Sequence, residues 1–258
     1  MIAIGRSRLL YSSISYLWDK GYSFDAIITD TAYEEYDVKE SDFMELASRV
    51  GARFFLIKNL SIPEVIDFIS KRKIDIAISV NWGSIIDSSF ISLFKNGIFN
   101  LHLGNLPNYK GNATPNWAII SGEKFIYVNI HKMDIDVDSG DILSRAKIEI
   151  NNDTYVADIL SKTCNVGPLL FEEAIKQTRE NPNYFLEAGS KKGLRCYPRL
   201  PEYSQINWMD SGENIHRLIR ASSQPYSGAY TFFDNKKIII WRANIVKPEN
   251  PFLAVPGH

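Results

Sequence analysis

Between Phe99 and Leu143 the chain carries three polar residues whose types and spacing suit acyl transfer. Asn100 and His102 lie in Phe99-Asn100-Leu101-His102-Leu103-Gly104-Asn105-Leu106-Pro107, and Asp138 lies in Asp136-Val137-Asp138-Ser139-Gly140-Asp141-Ile142-Leu143. Asn100 and His102 are two residues apart at the end of an apolar run, so on a strand they share a face. An amide donor, an imidazole and a carboxylate gathered at one point can hold a developing oxyanion and relay a proton. A single Asn-x-His pair is also common, and a lone histidine is often no more than a hydrogen-bonded structural residue. The surroundings of the pair decide between the two.

Short β-rich runs alternate with longer amphipathic stretches, the pattern of a parallel sheet with crossover helices. Ile2–Ile4, Ala26–Thr29, Phe54–Ile57 and Ile74–Val80 read as strands, with helices Ser7–Lys20, Ser41–Val50 and Ile62–Lys71 between them. Ser41 is the expected N-cap of the second helix, and Gly21 and Gly51 occupy C-cap positions. A short helix near Asp87–Phe94 leads into the strand Gly97–His102. Thr114-Pro115 reads as an N-cap followed by proline at the first helical position, opening a helix through Ile120. Phe125–Lys132 and Arg145–Ile150 are further strands, the second a candidate antiparallel edge. Thr154–Glu180 is helical, with Gly167-Pro168 expected to bend or split it. The fold class is α/β: a Rossmann-like, mostly parallel sheet with flanking helices over residues 1–182. Pro182–Arg199, rich in Gly, Lys and Arg, reads as a linker. A small α+β region over 183–258 follows, with a helix at Ile215–Ala221 and a hairpin of Ala229–Asp234 and Lys237–Asn244.

Composition narrows the function classes. Hydrophobic residues at 45% and charged residues at 23% describe an ordinary soluble globular protein, long enough for one large domain or two modest ones. A net charge of −1 gives no global attraction to nucleic acid or an anionic membrane. Cys164 and Cys196 form neither a disulfide framework nor a metal-ligand spacing, which fits a reducing cytoplasm. Met1–Gly5 reads as a strand rather than a signal peptide, and no apolar run approaches the roughly 18 residues of a membrane span. The turn Gly5-Arg6-Ser7-Arg8 lacks the three-glycine pattern of dinucleotide sites. Asp134-x-Asp136-x-Asp138 resembles a calcium loop, but Ser139 stands where glycine is needed and Arg145 where a glutamate closes the shell. No metal is therefore expected. His131 and His216 read as structural, packing or surface residues.

Together these motifs resemble the enzymes that transfer a formyl group from N10-formyltetrahydrofolate. The matching elements are Asn100-Leu101-His102, Leu106-Pro107, Tyr109-Lys110-Gly111, Thr114-Pro115 and Asp138-Ser139-Gly140-Asp141, in order. Ile206-Asn207-Trp208, Ile215–Ala221 and Pro225–Tyr230 are similar to the C-terminal region shared by methionyl-tRNA and sugar formyltransferases. The resemblance implies the formyltransferase fold, with Asn100, His102 and Asp138 as the catalytic trio. An amine attacks the formyl carbon, Asn100 and His102 donate to the developing oxyanion, and Asp138 orients His102 and helps move the proton. It also places the pterin against Asn81–Ser84 and the Met133–Asp138 loop, making Trp82, Gly83, Met133 and Asp134 the expected donor-binding residues. Trp82 reads equally well as a packing residue. Where many relatives carry Pro-Ser after the histidine, this chain has Leu103-Gly104, which puts the acceptor pocket in question. Val255-Pro256-Gly257 resembles the start of a further β segment.

The acceptor is narrowed by charge. A transfer-RNA enzyme needs a basic face, yet the stretch after the second strand, Asp30-Thr31-Ala32-Tyr33-Glu34-Glu35-Tyr36-Asp37, is acidic. The large C-terminal domain of methionyl-tRNA formyltransferases is also expected to need more chain than follows here. A nucleotide-linked sugar needs only a few cations and an aromatic surface. Tyr109, Lys110, Arg195, Tyr197, Arg199, Trp208, Arg220 and Tyr226 are candidates for it, with Arg6 and Arg8 weaker ones. The resemblance is nearest to bacterial nucleotide-sugar N-formyltransferases, implying formylation of the 4-amino group of a UDP- or dTDP-linked amino-deoxysugar used in surface glycans. Methionyl-tRNA formylation is the alternative, followed by a glycinamide-ribonucleotide or formylfolate-hydrolysing role and by a non-catalytic binding module. The oligomeric state stays open, a homodimer being common among such relatives.

Overall fold

The computed structural model describes residues 1–246. Its centre is a seven-stranded sheet built from β1 (Ile2–Gly5), β2 (Ala26–Thr29), β3 (Arg53–Leu56), β4 (Ile76–Val80), β5 (Gly97–Leu103), β7 (Phe125–Lys132) and β8 (Ile142–Glu149). The order is β3-β2-β1-β4-β5-β7-β8, parallel from β3 to β5 and antiparallel at β7 and β8. The central strands β1, β2 and β4 are buried along their whole length, as continuous apolar runs covered on both faces must be. α1 (Ser7–Asp19), α2 (Glu40–Val50) and α6 (Val156–Glu180) cover one face through Leu10, Phe43 and Phe171. α3 (Pro63–Arg72) and α4 (Ser88–Ile91) cover the other through Val65, Ile69 and Phe90. The chain leaves β1 toward β2 on one side and β4 on the other. That reversal opens a crevice at the carboxyl ends of the strands.

Several local expectations change. Lys39, not Ser41, precedes α2, because Asp42 Oδ2 reaches back to the Lys39 N–H at 2.7 Å and starts the helix earlier. α5 (Thr114–Ile120) is preceded by Ala113, and Thr114 lies inside it because its hydroxyl donates to the Leu103 carbonyl. α6 runs unbroken through Pro168. The loss of one helical hydrogen bond, about 3 kcal/mol in an isolated helix, is offset by burial of Leu170, Phe171, Ala174 and Ile175.

Residues 182–199 are not a free linker. β9 (Arg195–Cys196) pairs in parallel with β6 (Lys110–Gly111), and Glu187 and Ile142 exchange backbone hydrogen bonds further back. α7 (Gly212–Ser222) then packs on α5, where Asn116 Nδ2 donates to the Ala221 carbonyl at 2.7 Å. β10 (Ala229–Phe233) and β11 (Lys236–Ile240) form the expected hairpin, its two-residue turn at Asp234-Asn235 having φ of 47° and 59°, the left-handed pair of a type I′ turn. Pro248 onward and the Val255-Pro256-Gly257 segment lie outside the described residues.

Candidate active site

β5 and β7 place four polar side chains on one face. Asn100 stands in register with His131 and His102 with Asn129, and directly opposed residues of an antiparallel pair share a face. The loop after β7 returns Asp138 to this group. His102 Nδ1 lies 3.3 Å from Asp138 Oδ2, and His131 Nε2 lies 3.3 Å from Asp138 Oδ1 and 3.1 Å from Asn100 Nδ2. The three residues singled out by sequence thus converge, joined by a histidine that sequence reading assigned to structure.

Each side chain is held from behind. His131 Nδ1 donates to the Lys132 carbonyl at 2.9 Å, leaving Nε2 to accept from the Asn100 amide, whose second N–H stays available. Asn129 Nδ2 donates to the carbonyls of His102 (3.2 Å) and Gly104 (2.8 Å) and fixes the end of β5. The Gly111 N–H donates to Asp138 Oδ2 at 2.7 Å. His102 Nε2 lies 2.7 Å from the Tyr109 carbonyl, so with acceptors at both nitrogens either neutral tautomer keeps one hydrogen bond and the imidazolium makes two. Asp138 and Tyr109 both have positive φ, 49° and 57°, a backbone cost that the surrounding contacts hold in place.

Burial pushes the His102 imidazole below its ordinary 6.5, against the pull of Asp138. Burial resists ionisation of Asp138 too, but the two imidazoles, each 3.3 Å from one of its oxygens, and the Gly111 N–H outweigh it and hold the carboxyl below its usual range. At neutral pH the group is a carboxylate beside a neutral imidazole and a fixed amide. That combination can bind a carbonyl oxygen and pass a proton. Among the described residues no group of three or more His, Cys, Asp or Glu is arranged to hold a metal ion.

Above the trio opens a cavity of about 440 Å³ at the β1/β4 crevice. Trp82, Gly83, Met133, Asp134 and Arg195 line it with the trio, and Trp82 also packs against the core, so its two readings coexist. A second cavity of about 570 Å³ is lined by Arg199 and Tyr226. The remaining acceptor candidates are engaged elsewhere. Tyr109 donates its hydroxyl to Glu123, Lys110 Nζ is buried on the Ser190 carbonyl, and Trp208 Nε1 donates to Thr231. Tyr197 is exposed, and Arg220 clasps the carbonyls of Asn151 and Thr154. None of these five lines either cavity. Arg6 lines the first and is tied to the carbonyls of Thr31 and Asn81, whereas Arg8 pairs with Asp37 at the surface.

The sequence matches the formyl transferase family over residues 28–175 and the formyl transferase C-terminal domain over residues 200–258. The chain belongs to the formyl transferase family. This formyl transferase is 30% identical over 238 residues to the bifunctional polymyxin resistance protein ArnA of Wigglesworthia glossinidia brevipalpis, covering 91% of the chain but 36% of that protein. It is 27% identical over 251 residues to the methionyl-tRNA formyltransferase of Caldanaerobacter subterraneus subsp. tengcongensis, covering 96% of the chain and 81% of that enzyme. Among solved structures it superposes on a sugar 3N-formyltransferase crystallised with dTDP and 5-N-formyl-THF (TM-score 0.68, 21% identity, 92% of this chain and 84% of that one). It also superposes on a 4-N formyltransferase of Francisella tularensis (TM-score 0.69, 18% identity, 95% and 98%). At these identities the structural likeness is one of fold.

Proposed function

We propose that this formyl transferase moves a formyl group from N10-formyltetrahydrofolate to the 4-amino group of a nucleotide-linked amino-deoxysugar carried on UDP or dTDP. The observation that carries the reading is the convergence of Asn100, His102 and Asp138 at the floor of one cavity, beside a second cavity holding Arg199 and Tyr226. The donor's pterin lies along Trp82, Gly83, Met133 and Asp134. The sugar amine enters from the second cavity past Gly111 and attacks the formyl carbon. Asn100 donates its free N–H to the developing oxyanion. His102, anchored between Asp138 and the Tyr109 carbonyl, accepts the amine proton and returns it to the departing folate nitrogen.

The same reading divides the chain near residue 182 into a catalytic domain and a small C-terminal domain that contributes to acceptor binding. It places the enzyme in the cytoplasm, in the synthesis of bacterial surface glycans. The exposed Phe233 and Ile238, on one face of the hairpin, suit burial against a second copy. A panel of nucleotide amino sugars, incubated with formyl donor and read by mass spectrometry, should gain one formyl group on a 4-amino sugar. Similarity to a methionyl-tRNA formyltransferase keeps initiator-tRNA formylation as the second reading, and formylated methionyl-tRNA with no sugar product would select it.

A further inference from the structure

We propose that Tyr109 and Glu123 are positioning residues that fix the proton of neutral His102 on Nε2, so that Nδ1 is the atom that takes the proton from the attacking amine. The inference rests on the proposed proton transfer by His102 and deepens it, because it names the nitrogen that works and the residues that select it.

The two ring nitrogens meet different surroundings. Nε2 lies 2.7 Å from the Tyr109 carbonyl oxygen, a separation that requires a proton between two atoms that would otherwise present lone pairs to each other. Nδ1 lies 3.3 Å from Asp138 Oδ2, which has a nearer partner in the Gly111 N–H at 2.7 Å. A lone pair tolerates that longer approach. Nε2 also faces away from substrate. A Cβ on Gly104 would stand 2.6 Å from it and 2.4 Å from the Tyr109 oxygen, and neither Gly104 nor Tyr109 lines either cavity. His102 and Asp138 both line the first cavity, and Nδ1 is the nitrogen on the Asp138 side. As the new N–C bond forms, the amine proton passes to Nδ1. The imidazolium then keeps its hydrogen bond at Nε2 and gains an opposite charge beside Nδ1. Nδ1 gives the proton to the folate nitrogen as the old C–N bond breaks.

The Tyr109 carbonyl is aimed from several sides. The N–H of the same peptide, on Lys110, donates to the Leu194 carbonyl at 3.0 Å. Tyr109 has a φ of 57°, so its contacts, not its backbone preference, set the carbonyl direction. Its phenol donates to Glu123 Oε1 at 2.7 Å, and burial together with that hydrogen bond pushes the phenol up to about 12, so it stays a donor at neutral pH. Glu123 is placed in turn by the end of α5, where its N–H donates to the Ala118 carbonyl at 2.9 Å just past Gly122.

Two-bond proton–nitrogen NMR spectra of the substrate-free chain, labelled with ¹⁵N at histidine, read the tautomer directly, and His102→Gln assigns the signal. At about pH 8, above the ordinary histidine value, the proton should sit on Nε2. Tyr109→Phe and Glu123→Ala should each move part of the His102 population to the Nδ1–H tautomer. Each should also lower kcat about two- to tenfold, the worth of one hydrogen bond, with KM for either substrate little changed. Glu123→Gln keeps an acceptor oxygen and should recover most of the loss. A pair that served only the fold would lower the melting temperature and leave the tautomer where it was. A proton on Nδ1 in the native chain, or an unmoved tautomer in both variants, overturns the assignment. The spectra need no substrate, so the expected tautomer in an enzyme that formylates no amino sugar removes the proposed acceptor and leaves the assignment of the nitrogens standing.

Discussion

His131 shows how a residue can be central to a site without a signal of its own. It touches both Asn100 and Asp138, yet on the sequence it is one polar residue in an alternating strand. On the proposed mechanism, replacing His102 or Asp138 by Ala removes the proton relay or its anchor, so turnover should fall about 100- to 1000-fold with the fold intact by circular dichroism. His131→Ala leaves the trio present but frees the Asn100 amide. We expect a loss in kcat of about 10- to 100-fold with little change in KM, because small misplacements cost that much. Equal losses in both parameters would assign His131 to substrate binding instead. pH adds an independent check. The His102 imidazole is depressed below 6.5 by burial, so its contribution to stability is complete above 6.5 and is lost as pH falls through the lower folded value. The depressed Asp138 carboxyl acts in the same direction at lower pH. Melting temperature should therefore decline on acidification from about 6.5, the ordinary histidine value, and His102→Gln should flatten the upper part of that decline.

At the scale of elements, side-chain pattern was a good guide where side chains make the contacts and a poor one where the backbone does. β2 and β7 begin and end where alternation and β-branched residues put them, and the Asn-x-His pair falls on the end of β5. The trio was legible because its residue types are chemically distinctive. His131 and Asn129 were not, since their roles come from register across two strands. The misreading of 182–199 has the same origin: the segment is fastened by main-chain hydrogen bonds at Lys110, Asn112 and Ile142, which impose no hydrophobic period. The Asp141 carboxylate accepts from the Gly189 N–H at 2.8 Å, and this strap thereby braces the loop that carries Asp138. Gly111 is the joint. Its φ is 90°, an added Cβ would collide with the Cys196 carbonyl, and its N–H holds Asp138. Gly111→Ala should cost about 1–3 kcal/mol in chemical denaturation and lower kcat as well. Lost stability with unchanged turnover would show that the strap does not position the carboxylate.

For the whole molecule, charge separates the two acceptor readings. A formal net charge of −1 gives no global attraction to a polynucleotide, and the loop after β2 brings Glu34 and Glu35 to the wall of the second cavity. An acceptor held through six to ten phosphates would lose about 10³- to 10⁵-fold in affinity between about 50 and 200 mM salt, whereas a diphosphate offers two charges and a correspondingly shallow slope. Arg199 alone among the cavity-lining groups named above carries positive charge next to Tyr226, which is enough for a diphosphate and far too little for an acceptor stem. The KM for the nucleotide sugar should therefore rise by less than about tenfold over that salt range, and bulk transfer RNA should not inhibit. Glu34→Lys combined with Glu35→Lys reverses the local sign and should lower the KM while steepening its salt dependence. A steep slope in the native chain, with competition by transfer RNA, would mean that a polyanion-binding face exists outside the two cavities and that the sugar reading is wrong.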